Sequence, residues 1–191
     1  MSKFNFVVNL MLLFFVLLHL NSCKQNDGPL TPKSGDGSVL LIQSVDNKDY
    51  PLAPDFVCTD GNKSFRFSEF TRGKVVMLNF WGNWCGPCVG EIPDLIALSN
   101  ELSERNFVLI GICVEYSSTD EVKKSKVSDF AIQKNINYML IISNNEIQTA
   151  FAGISAVPTS FIIDKTGKIA TKIVGAYSKE SYLSIITPYL N

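Results

Sequence analysis

The stretch KVVMLNFWGNWCGPC, residues 74–88, decides the fold. Its first half, Lys74 to Trp81, is a nearly continuous apolar run of strand length, which is typical of a strand buried on both faces of a sheet. Its second half carries Cys85 and Cys88, and a segment of helical length begins at Gly86. The sequence therefore predicts a Cys-x-x-Cys motif at the point where a central strand turns into a helix.

This position suits thiol chemistry. Cys85 at a helix amino terminus faces free N–H groups and the positive end of the helix dipole, which stabilise a thiolate and lower its pKa. Cys88 follows about one turn later, close enough to attack a mixed disulfide formed by Cys85. Pro87 fits the first turn, because the N–H that it lacks would have no partner there.

Two other uses of the cysteines are disfavoured. A four-cysteine zinc site would need Cys58 and Cys113, which are predicted in the middle of strands and lack the spacing of paired zinc knuckles. A purely structural disulfide across so short a loop adds little stability, since the gain grows with loop length. We therefore expect a redox-active pair, with no metal and no cofactor.

Outward from the motif, apolar runs of strand length alternate with helical stretches. The order is βαβαβ followed by a hairpin and a helix, which predicts an α/β fold with a mixed sheet flanked by helices and an N-terminal β-hairpin extension. The predicted strands are 39–45 at a sheet edge, 56–59 and 64–67 joined by an Asp60-Gly61 turn, 74–81, 107–115, 138–142, 159–164 and 168–174. The predicted helices are 86–104, interrupted at Pro93, 120–133, 146–152 and 178–190.

The amino-terminal residues are predicted to direct the chain out of the cytoplasm. Residues 1–22 combine a basic start, an apolar centre and a small final residue, as in a secretory signal peptide. The segment Leu20-Asn21-Ser22-Cys23 resembles a bacterial lipobox, which implies cleavage before Cys23 and a lipid on that cysteine, although Asn21 replaces the usual small or apolar residue. The alternative is an uncleaved anchor helix. Residues 23–38 are rich in Gly, Pro and Ser and are predicted to be a flexible tether for a domain at 39–191.

Charge and histidine content exclude several functions. The chain has 17 basic and 18 acidic residues and a net charge of −1, so it has no electrostatic footprint for nucleic acid. The single histidine, His19, lies in the predicted signal peptide. A mature chain without histidine cannot use a Ser-His-Asp or Cys-His nucleophile or a His-rich metal site.

Six segments in order resemble the TlpA/ResA type of thioredoxin-like proteins, within the wider redoxin group, over roughly residues 50–175. They are Ala53-Pro54-Asp55-Phe56, the strand 73–81, Trp84-Cys85-Gly86-Pro87-Cys88, Glu91-Ile92-Pro93, Val157-Pro158-Thr159 and the segment 161–168. The resemblance implies a thioredoxin fold and a membrane-tethered thiol–disulfide oxidoreductase of the bacterial cell envelope. The implied partners are disulfide-containing envelope proteins, among them apocytochrome c, and a membrane electron donor for re-reduction.

The resemblance also implies roles for individual residues. Cys85 attacks a substrate disulfide and Cys88 resolves the mixed disulfide. The Val157-Pro158 bond is expected to be cis, so that the backbone there is free to dock a substrate strand beside Trp84 and the Gly86-Pro87 turn. The Gly86-Pro87 dipeptide matches that of reducing thioredoxins and favours reduction over oxidation.

Glu91 follows Cys88 by three residues and so projects over the same helix face. Cytoplasmic thioredoxins keep a buried acid six residues before the first cysteine, where this chain has Asn79. We therefore expect Glu91 to take a proton from Cys88, with a pKa raised by partial burial. The alternative is a solvated carboxylate on the helix surface. Trp81 is expected either to cover the site together with Trp84 or to belong to the core.

Cys58 and Cys113 have two possible roles. In an oxidising compartment they could form a structural disulfide, whereas on separate strands they would remain buried thiols, which is the interpretation we favour. Two functions compete with disulfide exchange. A peroxiredoxin-like peroxidase would need a threonine where Gly82 stands, and a non-catalytic lipoprotein would use the fold as a binding module without need of the intact cysteine pair.

Overall fold

The computed structural model describes residues 35–117 and 119–191 of the 191-residue chain. The predicted signal peptide 1–22, Cys23 and most of the predicted tether lie outside the described residues. The strands are β1 Val39–Asp46, β2 Asp55–Thr59, β3 Ser64–Arg66, β4 Val75–Trp81, β5 Phe107–Cys113, β6 Met139–Ile142, β7 Thr159–Ile163 and β8 Ile169–Val174. The helices are α1 Phe67–Phe70, α2 Gly86–Glu101, α3 Asp120–Lys134, α4 Asn145–Ala150 and α5 Lys179–Ile186, followed by a 3-10 turn at Thr187–Tyr189.

The strands of the described residues form one mixed sheet in the order β3-β2-β1-β6-β5-β4-β7-β8. Strands β1, β6, β5 and β4 run parallel to one another, and the strands at both ends of the sheet pair antiparallel. The predicted α/β class, the mixed sheet and the β2–β3 hairpin are therefore confirmed. The sheet also places β4, with the motif at its end, next to both β5 and β7.

Strand β1 is not at the edge of the sheet as predicted, since it lies between β2 and β6. Val39 and Leu40 at its start are both buried, and they point into the two different core clusters on opposite faces of the sheet. A strand with apolar side chains on both faces buries more apolar surface, and so gains more free energy of folding, in the interior of a sheet than at its edge. The β2–β3 hairpin forms the edge instead.

Both faces of the sheet are covered, but by different helices. Helices α2, α3 and α5 contribute buried side chains to one cluster, which includes Leu95, Leu98, Val127, Tyr182 and Ile186. The short helices α1 and α4 contribute Phe67, Phe70 and Ile147 to the other cluster, together with Phe151 directly after α4. Complete burial of β4 between these layers explains its apolar run, in which Asn79 is the one polar residue.

Helix α2 continues through Pro93 instead of being interrupted there. A proline inside a helix removes one backbone hydrogen bond, but Ile92 and Leu95 on either side are buried against the sheet. This burial stabilises the helix on both sides of Pro93. The helix ends at Glu101, earlier than predicted. The terminal helix also ends early, at Ile186, because Pro188 cannot supply a helical N–H.

Helix α1 was not predicted from the sequence. Its N-cap residue, Arg66, provides no side-chain cap. The buried carboxylate of Asp55 takes that role from β2, accepting hydrogen bonds from the Ser68 N–H at 3.0 Å and the Ser68 hydroxyl at 2.8 Å. It also accepts from the Arg66 guanidinium at 3.1 Å and the Phe56 N–H at 2.9 Å. Burial opposes ionisation of Asp55, but these donors hold its pKa below the usual range.

We predict that Asp55→Ala lowers the free energy of unfolding by about 2 kcal/mol at neutral pH, because buried donors lose a charged acceptor. The pKa of Asp55 is lowered in the folded state, so this contribution is present above the unfolded-state pKa and fades as the pH falls through the folded-state pKa. Urea unfolding of the wild type and the variant at a series of pH values tests both points. Asp49→Asn, at an exposed position, is the control, and equal losses from both variants would contradict the prediction.

Candidate active site

The cysteine pair lies where strand β4 passes into helix α2, as predicted. Cys85 is the N-cap residue of the helix, and its Sγ accepts the backbone N–H of Cys88 at 3.3 Å. The two cysteines are joined as a disulfide, with their Cα atoms 5.3 Å apart. Cys85 is 6% exposed and Cys88 only 1%. Of the two cysteines, Cys85 is therefore the more accessible to a reacting partner.

The surface around Cys85 is formed by residues that the sequence singled out. Gly86 and Pro87 occupy the first turn of α2 and are exposed. The Val157–Pro158 peptide bond is cis, as predicted. The carbonyl oxygen of Val157 lies 3.6 Å from Cys85 Sγ, so the cis-proline loop and the cysteine pair face each other directly.

The two tryptophans beside the pair have different environments. Trp84 is half-exposed, and its indole N–H donates to the carbonyl of Val114 at 2.8 Å. Its ring lies 5.5 Å from that of the exposed Tyr116, a neighbour that the sequence did not indicate. Trp81 is buried in the core against Phe130, so only Trp84 borders the site.

Glu91 lies in the interior behind the cysteine pair and is 3% exposed, so the alternative of a solvated surface carboxylate is wrong. One carboxylate oxygen accepts from the Asn79 amide at 3.0 Å and the other from the Tyr182 hydroxyl at 2.9 Å. Burial raises the pKa of Glu91 above its ordinary value, although the hydrogen bonds from Tyr182 and Asn79 oppose this shift. A buried carboxyl whose pKa lies above the usual range is suited to exchanging protons near neutral pH.

Sequence reasoning identified Asn79 by its position but did not find Tyr182 or Ser160. The Asn79 amide also donates to the Ser160 hydroxyl at 3.0 Å, and the two residues lie directly opposite each other on the paired strands β4 and β7. The available signal was weak: Ser160 directly precedes the apolar residues of β7, and Tyr182 is the one tyrosine within α5.

Cys58 and Cys113 are free thiols and form no disulfide with each other. They lie on β2 and β5, with β1 and β6 between them, and their side chains belong to core clusters on opposite faces of the sheet. Strands separated by two others are roughly 14 Å apart, beyond the reach of a disulfide. Burial raises the pKa of each thiol to about 12, so both remain protonated and act as small apolar side chains.

Two further observations concern only the described residues. Within 35–117 and 119–191, no cluster of three or more His, Cys, Asp or Glu side chains is arranged to hold a metal ion. Over the same ranges, none of the helices has the length and apolar character needed to cross a bilayer.

A mixed sheet whose central strand leads into a Cys-x-x-Cys helix, opposite a cis-proline, defines the thioredoxin fold with a redox-active disulfide. The redoxin family model matches residues 47–186. The thiol–disulfide oxidoreductase ResA of Bacillus thuringiensis strain Al Hakam is 35% identical over 140 residues, which cover 71% of this chain and 77% of the relative. ResA of Bacillus cereus strain ATCC 10987 is 36% identical over 164 residues, covering 81% of this chain and 91% of the relative.

Solved structures agree with these relatives. A thiol:disulfide interchange protein of the thioredoxin family from Chlorobium tepidum TLS superimposes with a TM-score of 0.64 at 31% identity, covering 75% of this chain and 99% of its own. A putative thiol:disulfide interchange protein DsbE from Chlorobium tepidum has the same TM-score at 25% identity, covering 78% of this chain and 100% of its own. The chain belongs to the redoxin family and, within it, to the ResA-like thiol–disulfide oxidoreductases.

We predict that Gly82→Ala displaces Trp84 while the domain remains folded. A Cβ atom at position 82 would lie 2.6 Å from the Trp84 indole nitrogen, so the ring must move and lose its bond to Val114. Acrylamide quenching of tryptophan fluorescence should rise, because the displaced Trp84 ring becomes more accessible and the buried Trp81 contributes little to quenching. Gly90→Ala is the matched control, since a Cβ there meets nothing within 4 Å. Unchanged quenching in Gly82→Ala would contradict the prediction.

Proposed function

We propose that this chain reduces protein disulfides outside the cytoplasm by dithiol exchange, with Cys85 as the nucleophile and Cys88 as the resolving thiol. The observation that carries the proposal is the position of Cys85 Sγ, at the amino terminus of α2 and 3.6 Å from the Val157 carbonyl. An extended substrate strand pairing with the backbone beside Pro158 would bring its own disulfide to Cys85.

The reaction begins from the reduced pair. The Cys85 thiolate attacks one sulfur of the substrate disulfide, so the substrate S–S bond breaks and a mixed disulfide with Cys85 forms. The first substrate sulfur leaves as a thiolate and takes up a proton. Cys88 then loses its proton and attacks Cys85 Sγ, which releases the second substrate thiolate and leaves the Cys85–Cys88 disulfide. The second substrate thiolate is also protonated. Overall the substrate gains two electrons from the cysteine pair and two protons, one that Cys88 gave up and one from solvent, because Cys85 enters as a thiolate.

The geometry supports different proposed roles for the two cysteines. The Cys88 N–H that points at Cys85 Sγ, together with the helix dipole, stabilises negative charge on Cys85. Cys88 is almost completely buried, so its thiolate is costly to form without a nearby base. Glu91, one turn further along the same helix, is the proposed acceptor of that proton.

The substrate-docking residues in this proposal are Trp84, Gly86, Pro87, Val157 and Pro158. The half-exposed Trp84 supplies an apolar face, and the cis-proline loop supplies backbone groups. The Gly86-Pro87 pair favours the reducing direction by its likeness to reducing thioredoxins. A membrane electron donor would then return two electrons to the Cys85–Cys88 disulfide.

The setting is proposed from the amino-terminal sequence and from the relatives. Residues 1–22 would direct export, a lipid on Cys23 would anchor the chain to a bacterial membrane, and residues 23–38 would tether the domain. At the described end of this tether, the Gly37 carbonyl accepts the Ser128 hydroxyl at 2.8 Å, so its last residues contact helix α3. Apocytochrome c, whose cysteines must be reduced before haem attachment, is the proposed substrate among envelope proteins.

We predict that Cys88→Ser accumulates a mixed disulfide at Cys85, because the resolving thiol is absent while the nucleophile remains. Insulin turnover should fall to the uncatalysed rate, and non-reducing mass spectrometry of peptides should find the adduct on Cys85. Cys113→Ser, which removes another buried thiol, is the control and should retain turnover. Attachment of substrate to the Cys88→Ser variant at any cysteine other than Cys85 would contradict the assignment.

We also predict that Glu91→Gln slows disulfide reduction on the order of 100-fold at the pH optimum, the usual contribution of a general base. The wild-type rate should rise as the pH passes the raised pKa of Glu91, and the variant should lose that limb of the profile. Glu104→Gln, at an exposed position just beyond the end of the same helix, should keep the wild-type profile. A normal pH profile for Glu91→Gln would exclude Glu91 as the base.

A further inference from the structure

Four buried side chains from different parts of the chain form a polar ring behind the cysteine pair, and three hydrogen bonds link them. Asn79 of β4 donates to Glu91 of α2 and to Ser160 of β7. Tyr182 of α5 donates to the other oxygen of Glu91, and the Ser160 hydroxyl lies beside Tyr182, where it opposes the rise that burial causes in the pKa of Tyr182. Asn79, Ser160 and Tyr182 have no measurable solvent exposure, and Glu91 is 3% exposed.

The donors around Glu91 favour its ionised form. The Asn79 amide and the Tyr182 hydroxyl each donate to one Glu91 oxygen, and a carboxylate oxygen can only accept. A proton on either Glu91 oxygen would turn that acceptor into a donor, so one of these two contacts would be lost or rearranged. The observed contacts therefore stabilise the carboxylate.

Helix α5 is fixed against α2 by contacts outside the ring. The backbone N–H of Lys179 donates to the Asp94 carboxylate at 3.2 Å, and the Lys179 ammonium lies 2.9 Å from the Glu101 carboxylate. These contacts join the first turn of α5 to α2 on the C-terminal side of Glu91. The position of the Tyr182 hydroxyl is thereby set by the docking of the whole terminal helix.

Few other charged or titratable groups face Glu91. On its own helix they are Cys88 and Asp94, whose negative charge raises the pKa of Glu91. Tyr138, at the start of β6, is buried with a raised pKa and remains neutral. The backbone N–H of Tyr177 before α5 lowers the pKa of Glu91, and Lys179 is engaged with Asp94 and Glu101.

We propose that Tyr182 is a positioning residue for the disulfide exchange: its hydroxyl holds the Glu91 carboxylate ready to accept the proton of Cys88. This rests on the proposed role of Glu91 as the base. The terminal helix α5 is then part of the catalytic apparatus, although Tyr182 is 91 residues from Glu91 in the sequence. Ser160 lies beside Tyr182 and would help to hold the Tyr182 hydroxyl in place without itself contacting Glu91.

The test compares wild type with Tyr182→Phe, which removes the hydroxyl and retains the ring. Loss of one donor to a buried carboxylate should move the pH profile of insulin reduction upward by about one pH unit. At pH values above this shifted limb, the variant should reach the wild-type rate. Tyr189→Phe, which removes a hydroxyl from the same terminal segment, is the matched control and should keep the wild-type profile. An unshifted profile for Tyr182→Phe would overturn the proposal.

A double variant shows whether Tyr182 acts through Glu91. In the Glu91→Gln background, Tyr182→Phe should cause no additional change of the pH profile, whereas an independent upward shift would overturn the proposal. Ser160→Ala should shift the profile in the same direction as Tyr182→Phe but by less, since the Tyr182 hydroxyl still donates to Glu91. A downward shift of the pH profile in Ser160→Ala would contradict a role of Ser160 in holding Tyr182.

Stability measurements keep the proposal falsifiable if the chain reduces no insulin, a result that would refute the proposed function instead. The Tyr182 hydroxyl bonds the ionised form of Glu91 more strongly, so the destabilisation caused by Tyr182→Phe should grow as the pH rises through the Glu91 pKa. Urea unfolding of wild type and Tyr182→Phe at several pH values measures this growth. A destabilisation that is independent of pH would show a packing role alone and overturn the proposal.

Discussion

The carboxylate of Glu91 lies in the protein interior, where an ionised group without partners would cost several kcal/mol. Donors from β4 and α5 reduce that cost, so three elements that are far apart in sequence must meet at one place. The same meeting point lies behind Cys88, one helical turn from Glu91. The constraint that organises the site is thus a buried carboxyl group that needs hydrogen-bond donors beside a buried cysteine.

The sheet provides the frame for this arrangement. Strand β4 is central, so its carboxyl end brings Cys85 beside the cis-proline loop that precedes β7. The register that pairs Asn79 with Ser160 belongs to the same two strands, and it fixes the polar ring from the side opposite α5. Displacement of either strand by one residue would turn these polar side chains to the other face of the sheet. The redox pair and its proposed base therefore depend on one strand register.

The sequence predicted the junction of β4 and α2 well, because an apolar run, the cysteine spacing and Pro87 all indicate the same local structure. The cis bond at Pro158 came from the resemblance to a family and not from local physics. Helix α1 was missed because its cap, Asp55, comes from another element. The sequence predicted only part of the ring around Glu91 for the same reason. The Tyr182 hydroxyl donates to a residue 91 positions away in the chain, and no periodic pattern indicates such a contact.

The central claim is that Glu91 and the cysteine pair exchange protons. Titration of the Glu91 carboxyl carbon by NMR, in the oxidised and in the reduced protein, tests it most directly. The account predicts a midpoint above the ordinary glutamate value in the oxidised protein, and a different midpoint after reduction, when Cys88 carries a titratable thiol beside it. An ordinary midpoint that is the same in both redox states would contradict the account.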